Sequence, residues 1–352
     1  MNIRKHLLIV IVSFSIFSNL SLVYADRGIV PIPPIPMRED WQLAIIAWND
    51  GEEVLILSTV LSPILKPLGK NLTDRIILPG IHGVEILPLK DIPYICESKY
   101  EYFYMLDRII YKYGLKTQLY GPPSLFVKSA KGGVEIIYRK RIGPHKITVL
   151  KANRSEDLVD WLNKYIVRNR LHVSEKSFTK YIKVFKDYID RGYKYFAIDV
   201  IILKIPRGTV YPEPFIVNPL LYRFSSECIY YPLKVSSLME GDTYIKLYLL
   251  TRERVKPEKI NSLGFEIYFE RKIKISEISG IDKEIIGLFR NTEEIWLTVV
   301  TYKGKVSNLL RDLEVSTGFS IWQYVHYIAF TVPAVIALLV SLIVVHTSKV
   351  SK

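Results

Sequence analysis

Residues 41–59, WQLAIIAWNDGEEVLILST, contain the strongest local structural signal in the chain. Two apolar runs, Leu43–Trp48 and Val54–Val60, lie on either side of the polar stretch Asn49–Glu52. An Asp-Gly pair between two such runs favours the tight turn that joins adjacent antiparallel strands. The stretch therefore predicts a β-hairpin.

Alternating and helical apolar patterns predict more strands and a few helices downstream of this hairpin. The predicted strands are 75–78, 84–87, 134–138, 146–151, 193–204, 220–224, 229–235, 244–251, 264–275 and 295–302. Helices are predicted at 97–115, after Ser155, after Ser177, at 281–289 and at 306–315. The predicted fold class is α+β, with antiparallel β-sheets, a few packed helices and one C-terminal transmembrane helix.

The N-terminal residues have the pattern of a secretory signal peptide. Arg4 and Lys5 precede the apolar run 7–17, and Val23-Tyr24-Ala25 provides small residues for cleavage. We expect residues 1–25 to be removed. The alternative is an uncleaved N-terminal anchor, for which the apolar run is short.

The last apolar run, 327–345, reads YIAFTVPAVIALLVSLIVV and carries no charge. Its length matches the roughly 20 residues that a helix needs to cross a bilayer core. Trp322 and Tyr324 precede it, and Lys349 and Lys352 follow it, which predicts a cytoplasmic C-terminus. The alternative is a buried core helix. The run predicts a single-pass plasma-membrane protein with its N-terminal part outside the cell.

These signals divide the chain into five segments. The predicted segments are a signal peptide (1–25), an α+β ectodomain (26–251), a membrane-proximal β-rich extension (252–320), a transmembrane helix (321–346) and a cytoplasmic tail (347–352).

The composition narrows the classes of partner. Hydrophobic residues make up 49% of the chain and the formal net charge is +13, so a well-packed core and a basic surface are expected. A nucleic-acid partner is not expected outside a cell. The expected partners are the lipid bilayer and, beyond it, envelope proteins or acidic glycans, and no small-molecule ligand is identifiable.

One local concentration of basic residues lies on the predicted hairpin around 134–151. It consists of Arg139, Lys140, Arg141, Lys146 and Lys151. Facing the membrane, the patch would contact anionic lipid heads, and facing away it would contact acidic glycans. A plain solvated hairpin tip is the favoured interpretation.

Two cysteines and two N-glycosylation sequons in the predicted ectodomain are candidates for covalent modification. Cys96 and Cys228 lie in a chain predicted to enter an oxidising compartment, so a disulfide is predicted, with two buried free thiols as the alternative. Asn71 and Asn153 each begin an Asn-x-Ser/Thr sequon and are candidate glycosylation sites. Asn153 also precedes a predicted helix start, where it could instead serve as a cap.

Catalytic and metal-binding signals are weak. His82, with Glu85 three residues later, does not direct two ligands to one point on a strand, and His145 is interpreted as an exposed turn residue. Ser177 and Lys180 match part of a serine acyl-enzyme motif whose partner motifs are absent from the sequence. No catalytic residue, metal site or cofactor is predicted.

Four segments resemble the family known as domain of unknown function 2330. The hairpin 41–59 matches the family's opening at Gln42, Ala44, Ile45, Ile46, Gly51, Glu53 and Leu55. Residues 142–162, 185–200 and 220–237 are also similar, the last through Tyr231-Pro232-Leu233. The resemblance spans about 26–251 and implies a secreted or membrane-anchored protein without an assigned activity. Family members often have a Cys soon after the signal, and this chain has none there.

Together these features favour a non-enzymatic cell-surface protein whose ectodomain binds or scaffolds components of the cell envelope. Two alternatives remain open. One is an extracellular hydrolase that acts on glycans or peptides, and the other is an accessory subunit of a membrane complex.

Overall fold

The structure, a computed structural model, describes residues 30–32, 37–63, 81–115, 135–168, 178–203, 215–237 and 241–317. The predicted signal peptide, transmembrane helix and cytoplasmic tail, the strand predicted at 75–78 and the sequon at Asn71 lie outside these residues. Within the described ranges, none of the helices combines the length and the apolar character that a membrane crossing requires.

The described chain is α+β, as predicted, with mostly antiparallel sheets and short helices. The strands are β1 (Val30–Ile32), β2 (Met37–Asn49), β3 (Glu52–Pro63), β4 (Ile81–Leu89), β5 (Tyr94–Glu97), β6 (Glu135–Ile142), β7 (His145–Lys151), β8 (Tyr195–Leu203), β9 (Phe215–Ile216), β10 (Leu220–Ser225), β11 (Ile229–Tyr231), β12 (Asp242–Thr251), β13 (Glu266–Lys274), β14 (Glu294–Lys305) and β15 (Leu313–Val315). The helices are α1 (Glu101–Lys112), α2 (Ser155–Arg168), α3 (Ile182–Asp190), α4 (Pro257–Asn261) and α5 (Lys283–Leu288).

The predicted hairpin is confirmed as β2 and β3, which pair in antiparallel register from Asn49↔Glu52 outward. Asp50 and Gly51 both have positive φ, at 48° and 82°. Two left-handed residues in succession give the turn whose twist matches that of the flanking strands, and Asp and Gly tolerate this conformation best.

This hairpin lies at the centre of an eight-stranded sheet with the order β13-β14-β12-β2-β3-β10-β5, in which β9 also pairs with β3. The pairing of β12 with β2 is parallel, from Tyr244↔Trp41 to Thr251↔Trp48, and the other pairings are antiparallel. Strands β13 and β14 belong to the segment 252–320 and extend the sheet that the hairpin begins.

A second sheet has five strands in the order β1-β4-β8-β7-β6, all antiparallel. Successive side chains along each of its strands point to opposite faces of the sheet. Lys146, Thr148 and Leu150 of β7 share one face, and His145, Ile147 and Val149 share the other. We call the first the helix face, because Tyr165 of α2 contacts Lys146 there.

Two hydrophobic clusters hold these layers together. The outer face of the eight-stranded sheet, including Ile45 and Ala47, packs against α1 and α5 through residues such as Phe103 and Ile285. The inner face, including Ala44, shares a cluster with the five-stranded sheet and with α2 and α3. Burial of this apolar area is the main stabilising contribution to the fold.

The sequence located many element boundaries to within a few residues but did not predict β5, β15 or α4. Helix α2 begins at Ser155 as expected, with Glu156 and Asp157 in its first turn. The helix predicted at 306–315 is wrong, because only a short 3₁₀ turn forms at Val306–Asn308 before β15. Strand β15 instead pairs with β11 in a separate two-stranded sheet.

Candidate functional site

A surface pocket of about 340 Å³ lies within the described part of the chain. It lies among the end of α3, the 3₁₀ turn Lys234–Ser236, the helix α4 and the segment that leads into β15. Its lining residues are Asp187, Arg191, Lys234, Lys259, Ser262, Leu263, Leu310, Arg311, Asp312 and Glu314.

Arg191 is the central side chain of the pocket wall. Its Nε lies 2.9 Å from Asp187 Oδ2, its Nη2 lies 2.7 Å from Asp312 Oδ2 and its Nη1 lies 2.8 Å from Glu314 Oε1. The planar guanidinium offers donors in a fixed fork, so one arginine can serve three carboxylates in this way. Arg191 therefore joins α3 to β15.

Asp312 is the most buried of these acids, with a side chain that is 0% exposed. It also accepts hydrogen bonds from the Tyr188 hydroxyl at 2.6 Å and from the Lys234 backbone N–H at 2.9 Å. Burial raises the pKa of Asp312, although the bonds from Tyr188, Lys234 and Arg191 oppose that shift. Burial also raises the pKa of Tyr188, so this hydroxyl remains a donor.

The pKa of Asp187, unlike that of Asp312, is lowered. Burial works against its charge, but hydrogen bonds and charges from Lys234 and Arg191 lower its pKa. The Lys234 Nζ lies 2.8 Å from Asp187 Oδ1. Each acid that lines the pocket is thus held by a cation, and Glu314 accepts a further bond from the Tyr193 hydroxyl at 2.6 Å.

Two cations at the rim of the pocket do not take part in these ion pairs. Lys259 and Arg311 are both exposed, and within the described residues neither forms a salt bridge with a carboxylate. Arg311 donates one hydrogen bond, to the Ser262 carbonyl at 2.9 Å. Leu310, between these groups in the lining, is 64% exposed.

The residues of the predicted basic patch divide between the two faces of the five-stranded sheet. Arg139 pairs with Thr148 and Arg141 with Lys146, which places these three basic residues on the helix face. Lys140 and Lys151 lie on the opposite face, where the Lys140 Nζ donates to the Ile95 carbonyl at 2.6 Å. Lys146 is only 7% exposed, so the interpretation as a solvated hairpin tip is wrong for this residue, whereas Lys140 is exposed.

The sequence predicted that His145 is an exposed turn residue. This prediction is wrong, because His145 is only 3% exposed. Its Nδ1 lies 2.5 Å from Asp199 Oδ2, and its Nε2 lies 2.7 Å from the Asn218 carbonyl. Burial works against a charged imidazole, but Asp199 and the other acceptors raise the pKa of His145 overall. The ring connects the five-stranded sheet to the segment before β10, which is a structural role.

The predicted disulfide between Cys96 and Cys228 does not form, and both residues are free thiols in the structure. Cys96 pairs with Leu221, whereas Cys228 follows the end of β10 at Ser225. Ser225 is four positions after Leu221 along β10, or about 13 Å at the usual rise, and Cys228 is three positions further on. A disulfide requires Cα atoms within about 7 Å.

The other residues considered in the sequence analysis lie partly within and partly outside the described residues. Asn153 is exposed just before α2, and Ser155 of the same sequon is buried. His82 lies in β4 opposite Ile202, and Ser177 and His172 are outside the described residues. Among the described side chains, no group of three or more His, Cys, Asp or Glu residues is arranged to hold a metal ion.

Sequence reasoning missed the pocket because its residues come from four separate segments. Asp187 and Arg191 lie near the end of one helix and belong to no recognisable motif, and neither do Asp312 and Glu314. The available signal was the alternation of acidic and apolar residues in 312–315, which favours a strand over a helix.

The family model described as "Uncharacterized protein conserved in bacteria (DUF2330)" matches residues 116–315. The chain belongs to this family. The DUF2330 match includes the whole pocket and the basic residues of β6 and β7, as well as strands β13 and β14. It begins after the hairpin from which the resemblance was first drawn.

No curated protein matches the chain. Two crystal structures of a mutated baculovirus p35 after caspase cleavage show some likeness. One is 9% identical, covers 79% of this chain and 99% of its own, and has a TM-score of 0.36. The other is 9% identical, covers 81% and 100%, and has a TM-score of 0.33. At these TM-scores the likeness carries no argument about this DUF2330 protein.

Proposed function

We propose that this DUF2330 protein is a membrane-anchored cell-surface protein whose ectodomain binds or scaffolds components of the cell envelope without catalysis. Its N-terminal part lies outside the cell, residues 321–346 cross the plasma membrane and the tail is cytoplasmic. The signal-like N-terminus, the uncharged apolar run 327–345 and the lysines after it support this arrangement.

The observation that carries the proposal is the position of the cationic pocket rim beside the predicted anchor. Thr317, the last described residue, forms a β-bridge with Val255, two residues before α4 begins. The proposed span begins at residue 321, and four residues reach at most about 14 Å. Lys259 and Arg311, which flank this bridge in the chain, must then lie close to the bilayer surface.

This rim has the chemistry of a surface that rests on anionic lipid. Basic side chains near an anionic membrane contribute about 1 kcal/mol each. Leu310, exposed beside them, provides an apolar side chain that can enter the interfacial region. The membrane would therefore hold the ectodomain in one orientation and present the opposite layers to other envelope components.

The chemistry of the pocket wall favours binding over the hydrolase alternative. Asp187, Asp312 and Glu314 are each engaged by Arg191 at 2.7–2.9 Å. A general acid or base needs a carboxyl group that can exchange its proton with a substrate, whereas these groups hold α3 against β15.

Two measurements test the proposal. Protease added to intact cells should digest the N-terminal part, and the tail should become accessible only after the membrane is opened. Hydrogen exchange of the full-length protein in nanodiscs should show stronger protection at 257–263 and 309–313 with anionic lipid than with zwitterionic lipid. Cleavage of the tail in intact cells, or equal exchange in both lipids, would count against the proposal.

Matched variants sharpen the lipid experiment. Lys259→Glu/Arg311→Glu should abolish the additional protection in anionic nanodiscs. Lys99→Glu/Arg108→Glu changes the same charge at exposed positions near and on α1, on the far side of the eight-stranded sheet, and should leave it unchanged. Mass spectrometry of proteins that copurify from native membranes then tests scaffolding, and a reproducible absence of any partner would direct attention to glycan and peptide hydrolysis.

A further inference from the structure

Three basic side chains converge on the helix face of the five-stranded sheet. We call Arg139, Arg141 and Lys146 the basic cluster. Arg141 is directly opposite Lys146 in the register, and Arg139 is two residues away on the same strand and face. Directly opposed residues have Cβ atoms about 5 Å apart, and like charges in this arrangement are destabilising.

Both arginines of the basic cluster are half-buried, and four of their guanidinium nitrogens are buried without a hydrogen-bond acceptor in the described part of the chain. Arg139 Nε and Nη2, and Arg141 Nη1 and Nη2, are inaccessible to solvent, and no described residue accepts a hydrogen bond from them. A buried charged donor that is left unpaired is costly, so such groups in proteins are normally paired.

The acids of the same sheet cannot neutralise the cluster. Asp199 and Glu85 pair across β8 and β4, and Asp199 is aligned with Ile147 on the opposite face. Asp199 is also committed to His145 and to the Lys146 backbone N–H. The acids of α2, Glu156, Asp157 and Asp160, are exposed to solvent.

Lys146 adds a third positive charge next to the guanidinium groups of Arg139 and Arg141. Burial, followed by the charges of Arg141 and Arg139, lowers the pKa of Lys146. The ring of Tyr165 lies 5.4 Å from the Lys146 Nζ and forms an aromatic wall at this position. An anion brought to the cluster would reverse this electrostatic balance.

We propose that the basic cluster is a binding site for a phosphate group. Two arginine forks and one ammonium match the oxygens of a phosphate, which guanidinium groups bind bidentately. A phosphate monoester carries about −1.5 to −2 charges at pH 7 and offers three strong acceptor oxygens, so it matches two unpaired guanidinium groups better than a single carboxylate does. The group can come from free inorganic phosphate or from a phosphorylated glycerol unit of the envelope.

The experiment uses the full-length protein in a neutral detergent at pH 7. Inorganic phosphate, sn-glycerol 3-phosphate, acetate and sodium chloride are titrated at equal ionic strength, with isothermal calorimetry and thermal unfolding as the measurements. Both phosphates should bind, and at saturating concentration either should raise the Tm by about 2 °C or more over chloride. Tighter binding of sn-glycerol 3-phosphate would assign the site to a phosphorylated envelope unit, and equal or weaker binding would assign it to free phosphate.

Variants distinguish a specific site from general attraction to a basic protein. Arg141→Gln and, independently, Arg139→Gln should weaken phosphate binding at least tenfold. Without phosphate, Arg141→Gln should match or exceed the wild-type Tm, because it removes a like-charge contact. Lys151→Gln removes a charge from the same hairpin on the opposite face and should bind as the wild type does.

The proposal is overturned if phosphate gives the wild-type protein no heat of binding and no more stabilisation than chloride. It is also overturned if Arg139→Gln and Arg141→Gln respond to phosphate as the wild type and Lys151→Gln do. Binding of acetate as tight as that of phosphate would show that the site takes carboxylates instead. None of these results depends on the membrane orientation proposed above.

Discussion

Arg191 and Asp312 form a direct ion pair, with 2.7 Å between Nη2 and Oδ2, and the Asp312 side chain is completely buried. The pair joins the end of α3 to the segment that enters β15. Because β15 leads to Thr317, this contact fixes the part of the described chain that lies nearest the proposed anchor.

Replacement of Arg191 by Met should destabilise the protein by about 2–4 kcal/mol. Breaking a buried ion pair on one side leaves an uncompensated charge and costs about 3–5 kcal/mol, and the partial exposure of Arg191 reduces this loss. Urea unfolding of the full-length protein in detergent measures the change. Lys186→Gln, which breaks the exposed pair of Lys186 with Asp190, is the control and should have no measurable effect. Equal effects of the two variants would contradict the structural role of Arg191.

Glu53 should act as a buried neutral acid. Its side chain lies in the core, where Oε2 accepts the Tyr230 N–H at 2.7 Å, and burial raises its pKa well above the ordinary value. A raised folded-state pKa gives stability that is present below the unfolded pKa of about 4.3 and is lost as pH rises through the folded pKa.

Glu53→Gln removes this pH dependence with almost no change of shape. The variant should therefore be more stable than the wild type at pH 8, and the advantage should vanish near pH 4. Urea unfolding between pH 4 and pH 8 tests this, with the exposed Glu227→Gln as the control. Parallel pH profiles of Glu53→Gln and wild type would show that Glu53 is not the titrating group.

His145 should titrate above the usual histidine range. Its pKa is raised because Asp199 and the Asn218 carbonyl together outweigh the effect of burial. Its contribution to stability is thus complete below about pH 6.5 and is lost as pH rises through the folded pKa. NMR titration of the imidazole resonances measures this directly.

Asp199→Asn should lower the His145 pKa, because it removes the largest counter-charge while the effect of burial remains. The other histidine resonances provide an internal control and should keep their titration curves. An unchanged His145 curve in Asp199→Asn would exclude Asp199 as the cause of the shift.

A buried pair links helix α1 to the eight-stranded sheet. The Lys246 Nζ lies 2.7 Å from Asp107 Oδ1, and the Tyr248 hydroxyl donates to the same oxygen at 2.8 Å. Asp107→Ala should cost about 3–5 kcal/mol, since it leaves the Lys246 ammonium buried and unpaired.

The double variant Asp107→Leu/Lys246→Met should be less destabilised than Asp107→Ala, because replacing both charges removes the desolvation penalty along with the attraction. Chemical unfolding of the variants gives the comparison. A double variant that is as unstable as the single one would mean that packing, and not charge, decides stability here.

Local features of the fold were predictable from the sequence, because they depend on neighbouring residues. The pair Asp50-Gly51 indicates the hairpin turn. Gly192, which has a φ of 91°, is the type of residue that commonly follows the end of a helix such as α3. Features that depend on distant residues were not predictable. The parallel pairing of β2 with β12 and the placement of β5 beside β10 have no local signature.

The candidate sites were predictable only in part for the same reason. The run Arg139–Arg141 stood out as charge, but its division between two faces required the register with β7. His145 was read as exposed because it follows Gly143-Pro144, whereas its acceptors come from Asp199 and Asn218. Burial is decided by what packs over a residue, which its sequence neighbours do not reveal.

The position of β2 has a consequence for how the protein is made. One edge of β2 is covered at once by β3, but the other pairs with β12, from Tyr244↔Trp41 onward. During synthesis the hairpin would therefore emerge with an open, apolar edge that stays unpaired until most of the chain has followed. Non-local pairings of this kind fold slowly, and open edges invite aggregation. Biogenesis of this protein should accordingly depend on chaperones that shield a nascent sheet edge, and its yield should fall first when those chaperones are depleted.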